Sequence, residues 1–387
     1  MGRESRPARL ATAVFAAALI ALSVVNGAGG AQAASARPAS VTALSIPGEL
    51  DGVAATSPTN AWAVGYLVSR NSKPDTLIMA HWDGVNWKRV TVPGFPYGQL
   101  LAVAAVSKND VWAVGENESY VPGYNRPPFG LVLHWNGKAW RPVPIAFAVQ
   151  AIPTAVTATA KDVWVALSAD TDELLHETGG HWYVVPVTQS GSLNDPLTIA
   201  MSSPKSGWLG GTNVSIDSNG ATAFEWHWNG ASWKHIPVKV HDQFSVINAM
   251  AGLPGGTVWA VGQEAIDPNN GNTFGPLTLR WNGKAWLQVP VNIQGADDLF
   301  GVAPIPAGTA WAVGTMDDNL DVGALVARWT GTAWKQAPSP AGDWADILYA
   351  VTATSVSDAW AVGEINTPLG SAGFTTVILH WNGTTWS

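Results

Sequence analysis

The sequence has no cysteine, which excludes a disulfide framework, a thiolate metal site and a cysteine-linked lipid anchor. Charge is sparse: Asp, Glu, Lys and Arg make up 12% of the 387 residues, with 28 acids against 20 bases. Acid in excess leaves little from which to build a basic patch, so neither nucleic acid nor an anionic membrane is an expected partner. Helical periodicity is missing, and 40 Gly and 26 Pro punctuate the chain too often for long helices. Catalytic signatures are absent too. The sequence contains no Gly-x-Ser-x-Gly, no His-Glu-x-x-His and no phosphate-cradling Gly loop. No metal, no cofactor and no enzymatic activity are expected.

One apolar run, Leu10 to Val25, follows Arg3, Arg6 and Arg9 and precedes Ala31-Gln32-Ala33. It is shorter than the roughly 20 apolar residues of a membrane span. Basic, apolar and small residues in that order make a secretory signal. Residues 1–33 are therefore expected to be a signal peptide, 34–40 a linker rich in Ala, Ser and Pro, and 41–387 a single secreted, extracellular domain without membrane insertion. Without the signal, 17 bases face 27 acids, a formal charge of −10.

What the chain has in abundance is tryptophan, 22 residues in all. Asp110-Val111-Trp112-Ala113-Val114-Gly115 is followed by His134-Trp135-Asn136-Gly137-Lys138-Ala139-Trp140, and the pattern is restated seven times. Its first Trp falls at Trp62, Trp112, Trp164, Trp208, Trp259, Trp311 and Trp360, at intervals of 44 to 52 residues. That period is near the one expected for propeller blades. Each unit divides into four short β segments, in the second unit Leu101–Val106, Val111–Gly115, Leu131–Trp135 and Trp140–Val143. The expected fold is all-β: a seven-bladed β-propeller with four antiparallel strands per blade. The first segment of each unit is small and alternating, as in Val103-Ala104-Ala105-Val106, which suits the crowded strand nearest the axis. The chain stops at Trp386-Ser387, where a fourth strand should begin, and Leu44–Gly48 matches Val90–Gly94 at the end of the first unit. The amino-terminal segment is thus expected to close the last blade, removing an exposed sheet edge.

The second Trp of a unit (Trp82, Trp135, Trp228, Trp281, Trp329, Trp381) and the third (Trp87, Trp140, Trp233, Trp286, Trp334, Trp386) are five residues apart, with Asn-Gly or Asp-Gly between them in all but one unit. That is a tight hairpin. In the third unit Glu177 replaces the second Trp while Trp182 keeps the third. Burying such a ring is worth roughly 2–3 kcal/mol, so the 20 repeat tryptophans are read as packing between blades. Trp226 and Trp344 alone stand outside the pattern.

Before the second Trp stands His81, His134, His176, His227, Arg280, Arg328 or His380. Equivalent positions on different blades spread around a ring, so they do not converge on one ion. Each is expected to pair with the turn residue two before the first Trp: Asn60, Asp110, Asp162, Ser206, Thr257, Thr309 or Asp358. The connections from second to third and from fourth to first strand vary in length and share one rim, where function is usually placed. These loops hold the candidate ligand-binding residues: Trp344, Tyr124, Tyr120 and Tyr97 as stacking rings, Glu116 and Glu364 as acceptors. Rings beside carboxylates suit a sugar, whose C–H faces stack while its hydroxyls donate. Glu116, Glu264 and Glu364 are the acids from which a hydrolytic pair could be assembled. Asp317–Asp321 begins like a calcium loop, but Arg328 stands where the bidentate Glu belongs, so a solvated hairpin is expected.

Val-Trp-Ala-Val-Gly joined to Leu-His-Trp-Asn-Gly-x-x-Trp resembles secreted bacterial β-propellers built of such repeats. It is also similar to tectonin and tachylectin lectin repeats, with Val-Pro endings such as Val143-Pro144, and more loosely to Asp-box propellers, including photosystem II assembly factors and sialidases. The resemblance covers residues 41–387 and implies a propeller. The arginine triad of a sialidase is not found, since Arg70 and Arg126 are the only arginines in the long loops between second and third strands, and the Cys–Tyr crosslink of galactose oxidase is ruled out. The function expected is recognition of a glycan or cell-wall polymer on the variable rim. The alternatives are a carbohydrate-active hydrolase or lyase, and a scaffold for an extracellular protein partner.

Overall fold

The computed structural model describes residues 46–67, 75–92, 94–118, 129–144, 151–168, 173–187, 193–215, 220–238, 240, 244–254, 256–266, 273–317, 322–340, 346–366 and 374–387. They form seven antiparallel sheets and, among the described residues, no helix. Blade 1 comprises Glu49–Ser57, Asn60–Leu67, Thr76–Trp82 and Trp87–Arg89, and blade 2 comprises Gly98–Ser107, Asp110–Asn117, Phe129–Trp135 and Trp140–Pro142; the strands of blades 3 to 7 lie within residues 152–186, 193–235, 245–288, 296–336 and 347–381. In blade 2 the first three strands begin one to three residues earlier than the repeat alone suggests, the first two also end later, and the fourth ends one residue sooner. Within each sheet sequential strands are neighbours. The first strand of each blade also meets the first strand of the next, and that of blade 7 (Ile347–Ser355) meets that of blade 1, so the seven line a common axis.

The apolar run in the second strand is buried on both faces: Ala61, Trp62, Ala63 and Val64 are all 0–1% exposed. Trp62 and Val64 pack toward Leu100, Val111 and Leu133 of blade 2, whereas Ala61 and Ala63 share a cluster with Trp360 and Val362 of blade 7. Large side chains on one face thus meet small ones on the facing blade, which lets the sheets approach closely. In the equivalent strand of blade 2, Asp110–Asn117, Gly115 is required by a close approach. The first strand shifts register between Leu100 and Ala102, and a Cβ on Gly115 would stand 2.0 Å from the Gln99 carbonyl oxygen.

The tryptophans join the blades in a closed cycle. Trp62 lies 5.2 Å from both Trp135 and Trp140 of blade 2. Such paired contacts recur at every joint except that of Trp112, which meets Trp182 at 5.9 Å, on to Trp311 with Trp381 and Trp386, and Trp360 closes the ring against Trp82 at 5.1 Å and Trp87 at 5.2 Å. Blade 7 has three full strands, and residues 46–48 and 386–387 lie along its third, Phe374–Trp381. Trp386 bridges Trp381, and Ser387 exchanges backbone hydrogen bonds with His380. At the other end Pro47 bridges Thr375, the Gly48 N–H donates to Phe374 and the Thr376 N–H donates to Ile46. The expected closure by the amino-terminal segment is therefore seen over residues 46–48; Leu44 and Ser45 lie outside the described residues.

On the rim of short turns, four histidines make the expected pairs: His81 Nε2 with Asn60 at 2.9 Å, and His134, His176 and His380 with Asp110, Asp162 and Asp358 at 2.8–3.0 Å. Each ring also stacks on its own blade's first Trp, at 3.8–4.2 Å. His227 pairs with Ser206 at 3.2 Å. Burial holds His81 and His227 below the usual histidine range. The expected pairing of Arg328 with Thr309 is not made. Arg328 lies over the Trp311 ring, 5.2 Å from its centroid, and Thr309 Oγ1 is buried with no hydrogen-bond partner. Arg280 lies likewise 5.7 Å over Trp259. A cationic planar guanidinium is attracted by the electron-rich indole face itself, so the turn hydroxyl is not needed to hold it.

Candidate functional site

The connections between second and third strands and between blades emerge on the rim opposite the short turns. The starts of first strands and ends of second strands meet there, and the sequence places polar residues at those ends. At this rim the described residues bury polar groups at several seams between blades, among them the following three.

Between blades 7 and 1, Glu364 at the end of Asp358–Asn366 is 4% exposed and Glu49 at the start of blade 1 is 6% exposed. The two carboxyls are hydrogen-bonded, and the Tyr349 hydroxyl donates to Glu364 Oε1 at 3.1 Å. Burial first, then the Glu49 charge and hydrogen bond, push the Glu364 carboxyl up to about 9, against the smaller opposing effect of Tyr349. Glu364 therefore keeps its proton at neutral pH and bridges the seam where the ring closes.

Between blades 1 and 2, the Gln99 side-chain amide donates to Asp75 Oδ2 at 2.7 Å, and the Asp75 N–H donates to Glu118 at 3.2 Å. Glu116, paired in register with Gln99, is buried. Tyr97 bridges Thr76 at the surface and is 38% exposed. Between blades 5 and 6, Asn248 donates to Asp298 Oδ1 at 2.8 Å and to the Leu299 carbonyl at 3.0 Å, while Gln263 donates to Asp297 at 3.3 Å. Burial holds Asp298 far above the usual carboxylate range, with the neighbouring Asp297 adding to it, and raises Asp297 as well.

Of the six candidate ligand residues, Trp344, Tyr124 and Tyr120 lie outside the described residues. Tyr97 is at the surface of this rim; Glu116 and Glu364 lie beneath it. The three acids considered for a hydrolytic pair stand on blades 2, 5 and 7, so no two are on adjacent blades. Glu364 finds its carboxyl partner in Glu49 instead. No signal in the repeat marks Glu49, because it precedes the first motif and reaches Glu364 only through ring closure. Of the calcium-like segment, Asp317 ends a strand and residues 318–321 lie outside the described residues. Among the described residues no cluster of three or more His, Asp or Glu could hold a metal.

No family model matches the sequence, and no curated protein does. Solved structures do. A YCF48 structure described as bound to D1 peptide matches with a TM-score of 0.53 at 15% identity, over 88% of this chain and 99% of that one. An ulvan lyase of polysaccharide lyase family PL25 matches with a TM-score of 0.56 at 8% identity, over 86% and 92%, as does the same enzyme bound to -[GlcA(1-4)Rha3S]-. At such identities the likeness is one of fold, and it is that of a propeller.

Proposed function

We propose that the chain is an extracellular recognition propeller that binds a glycan or cell-wall polymer on its variable rim. The observation that carries this reading is the division of labour between the rims. One is built of near-identical turns, whereas the long and unequal connections emerge on the other, above the buried polar groups of blades 1, 2, 5, 6 and 7. In this reading Tyr97, Tyr120, Tyr124 and Trp344 supply the rings, and Glu116 and Glu364 act from beneath as braces that fix the strand ends carrying the loops. Propellers of similar architecture whose structures hold a polysaccharide fragment in one case and a peptide in another support a binding role without fixing the ligand.

The test is a screen of the 34–387 protein against glycans and cell-wall polymers. Binding should fall at least tenfold in the double variant Trp344→Ala, Tyr124→Ala; unchanged binding would remove the site. Product release from a polysaccharide that is lost in Glu116→Gln or Glu364→Gln would favour the hydrolase or lyase reading instead. Capture of a protein partner that free sugars do not displace would favour the scaffold.

A further inference from the structure

The cycle of tryptophans is weakened at one joint, on the rim of short turns. In the other six blades a second Trp packs on the first Trp of the preceding blade, and four of these indoles, Trp82, Trp135, Trp228 and Trp381, donate their N–H to the carbonyl of Pro58, Lys108, Pro204 and Val356 at 3.0–3.2 Å. In blade 3 the position is Glu177, which turns back to accept the Gly180 N–H at 2.7 Å. Across the joint to blade 3, Trp112 of blade 2 therefore meets one described Trp, Trp182, at 5.9 Å, and it is 8% exposed where the six equivalent rings are 0–2% exposed. A cleft of about 510 Å³ opens here, lined by Trp112, Asp110, Glu177, Lys161 and Ala160. Ala160 holds the turn position of Pro58, Lys108, Pro204 and Val356. The cleft thus keeps both halves of an indole site: the aromatic floor and the turn whose carbonyl takes the N–H elsewhere in the ring.

The adjoining outer strand departs from the repeat as well. In blades 1, 2, 4, 5 and 6 the outer strand has three residues, and in four of them a Lys or Arg follows the Trp: Lys88, Arg141, Lys234 and Lys335. Such cations and short lengths blunt a sheet edge. In blade 3 the outer strand, His181–Pro186, is six residues long and carries no Lys, Arg, Asp or Glu. Tyr183 is 49% and Val184 47% exposed. This strand starts at the turn that borders the cleft, and its outer edge can take another strand.

We propose that the joint between blades 2 and 3 is a second binding site, on the rim opposite the proposed glycan surface. It takes an extended polypeptide segment that pairs with His181–Pro186 and seats a tryptophan side chain on Trp112. The incoming indole takes the place that the repeat gives its own second Trp, and its N–H meets the Ala160 carbonyl.

The probes are N-acetyl-L-tryptophanamide and the pentapeptide acetyl-Val-Thr-Trp-Thr-Val-amide, titrated against the full chain by ligand-observed NMR, because 22 native tryptophans crowd the fluorescence. The pentapeptide should bind saturably and at least tenfold more tightly than the amide. Glu177→Trp fills the cleft from within, and Glu177→Phe does so with a smaller ring; each should weaken the pentapeptide at least tenfold with an unchanged far-UV circular dichroism spectrum. No saturable binding, or binding indifferent to both fillers, overturns the site. A pentapeptide no tighter than the amide overturns the polypeptide assignment, and a methyl glycoside displaced by the fillers in its stead overturns the indole. Should both variants fail to fold, a crystal of the native chain with 5-bromotryptophan in the pentapeptide decides: a bromine peak over Trp112 supports the site, and a peak elsewhere or none refutes it.

Discussion

Glu364→Gln tests how the ring is sealed. The buried Glu364–Glu49 pair holds a proton in the folded chain up to about pH 9, whereas an unfolded glutamate releases it near 4.5. Between those values the folded state binds one proton more than the unfolded state, so stability is greatest at acid pH and declines as pH rises toward 9. One proton is worth about 1.4 kcal/mol per pH unit, so this pair removes about 4 kcal/mol between pH 5 and pH 8. Against a total of about 5–15 kcal/mol for a folded domain that is a large fraction. Glutamine keeps the acceptor for Tyr349 and offers Glu49 an N–H in place of the acid O–H, but it does not titrate. Urea unfolding of both proteins from pH 5 to pH 8 should give curves that diverge, the variant falling less steeply by about one proton's slope. Glu225, Asp297 and Asp298, raised in the same direction, are common to both proteins and cancel in the difference. Parallel curves would refute the shared proton.

Glu225 is fully buried between blades 4 and 5 with neither carboxyl oxygen partnered, so Glu225→Met is expected to raise stability by about 1–3 kcal/mol in urea at pH 7; a loss would show that the acid is satisfied. Chains beginning at residue 49 lack the Ile46–Gly48 segment that pairs with blade 7, and thermal unfolding should show them about 2–4 kcal/mol less stable than chains beginning at residue 41. Asp358 binds His380 and Thr354 and is 3% exposed, so Asp358→Ala should cost about 2–3 kcal/mol in denaturant melts, against about 1 kcal/mol for Ser206→Ala, whose bond to His227 involves no carboxylate. Equal losses would remove the carboxylate from the account.

The sequence by itself determined whatever repeats. Blade number, strand order, the Asn-Gly hairpins, the histidine pairs and the structural standing of Trp62, Trp112 and their equivalents depend on neighbours within a blade or on one recurring interface, so seven copies of one pattern state them seven times. The surplus small residues, Ala61 and Ala63 among them, are explained in the same way by the facing blade's ring. Tertiary structure decided what joins residues that no period relates. The Glu364–Glu49 proton exists because ring closure brings the last blade against the first, some 300 residues away. Arg328 settled on an indole face because its charge is held by the ring of Trp311 itself and not by the Thr309 hydroxyl. The cleft over Trp112 follows from a single Glu where the repeat calls for Trp, a departure plain in the sequence whose consequence is not. Only the packing of two blades turns one missing ring into a cleft, because close-packed neighbours cannot collapse to fill it.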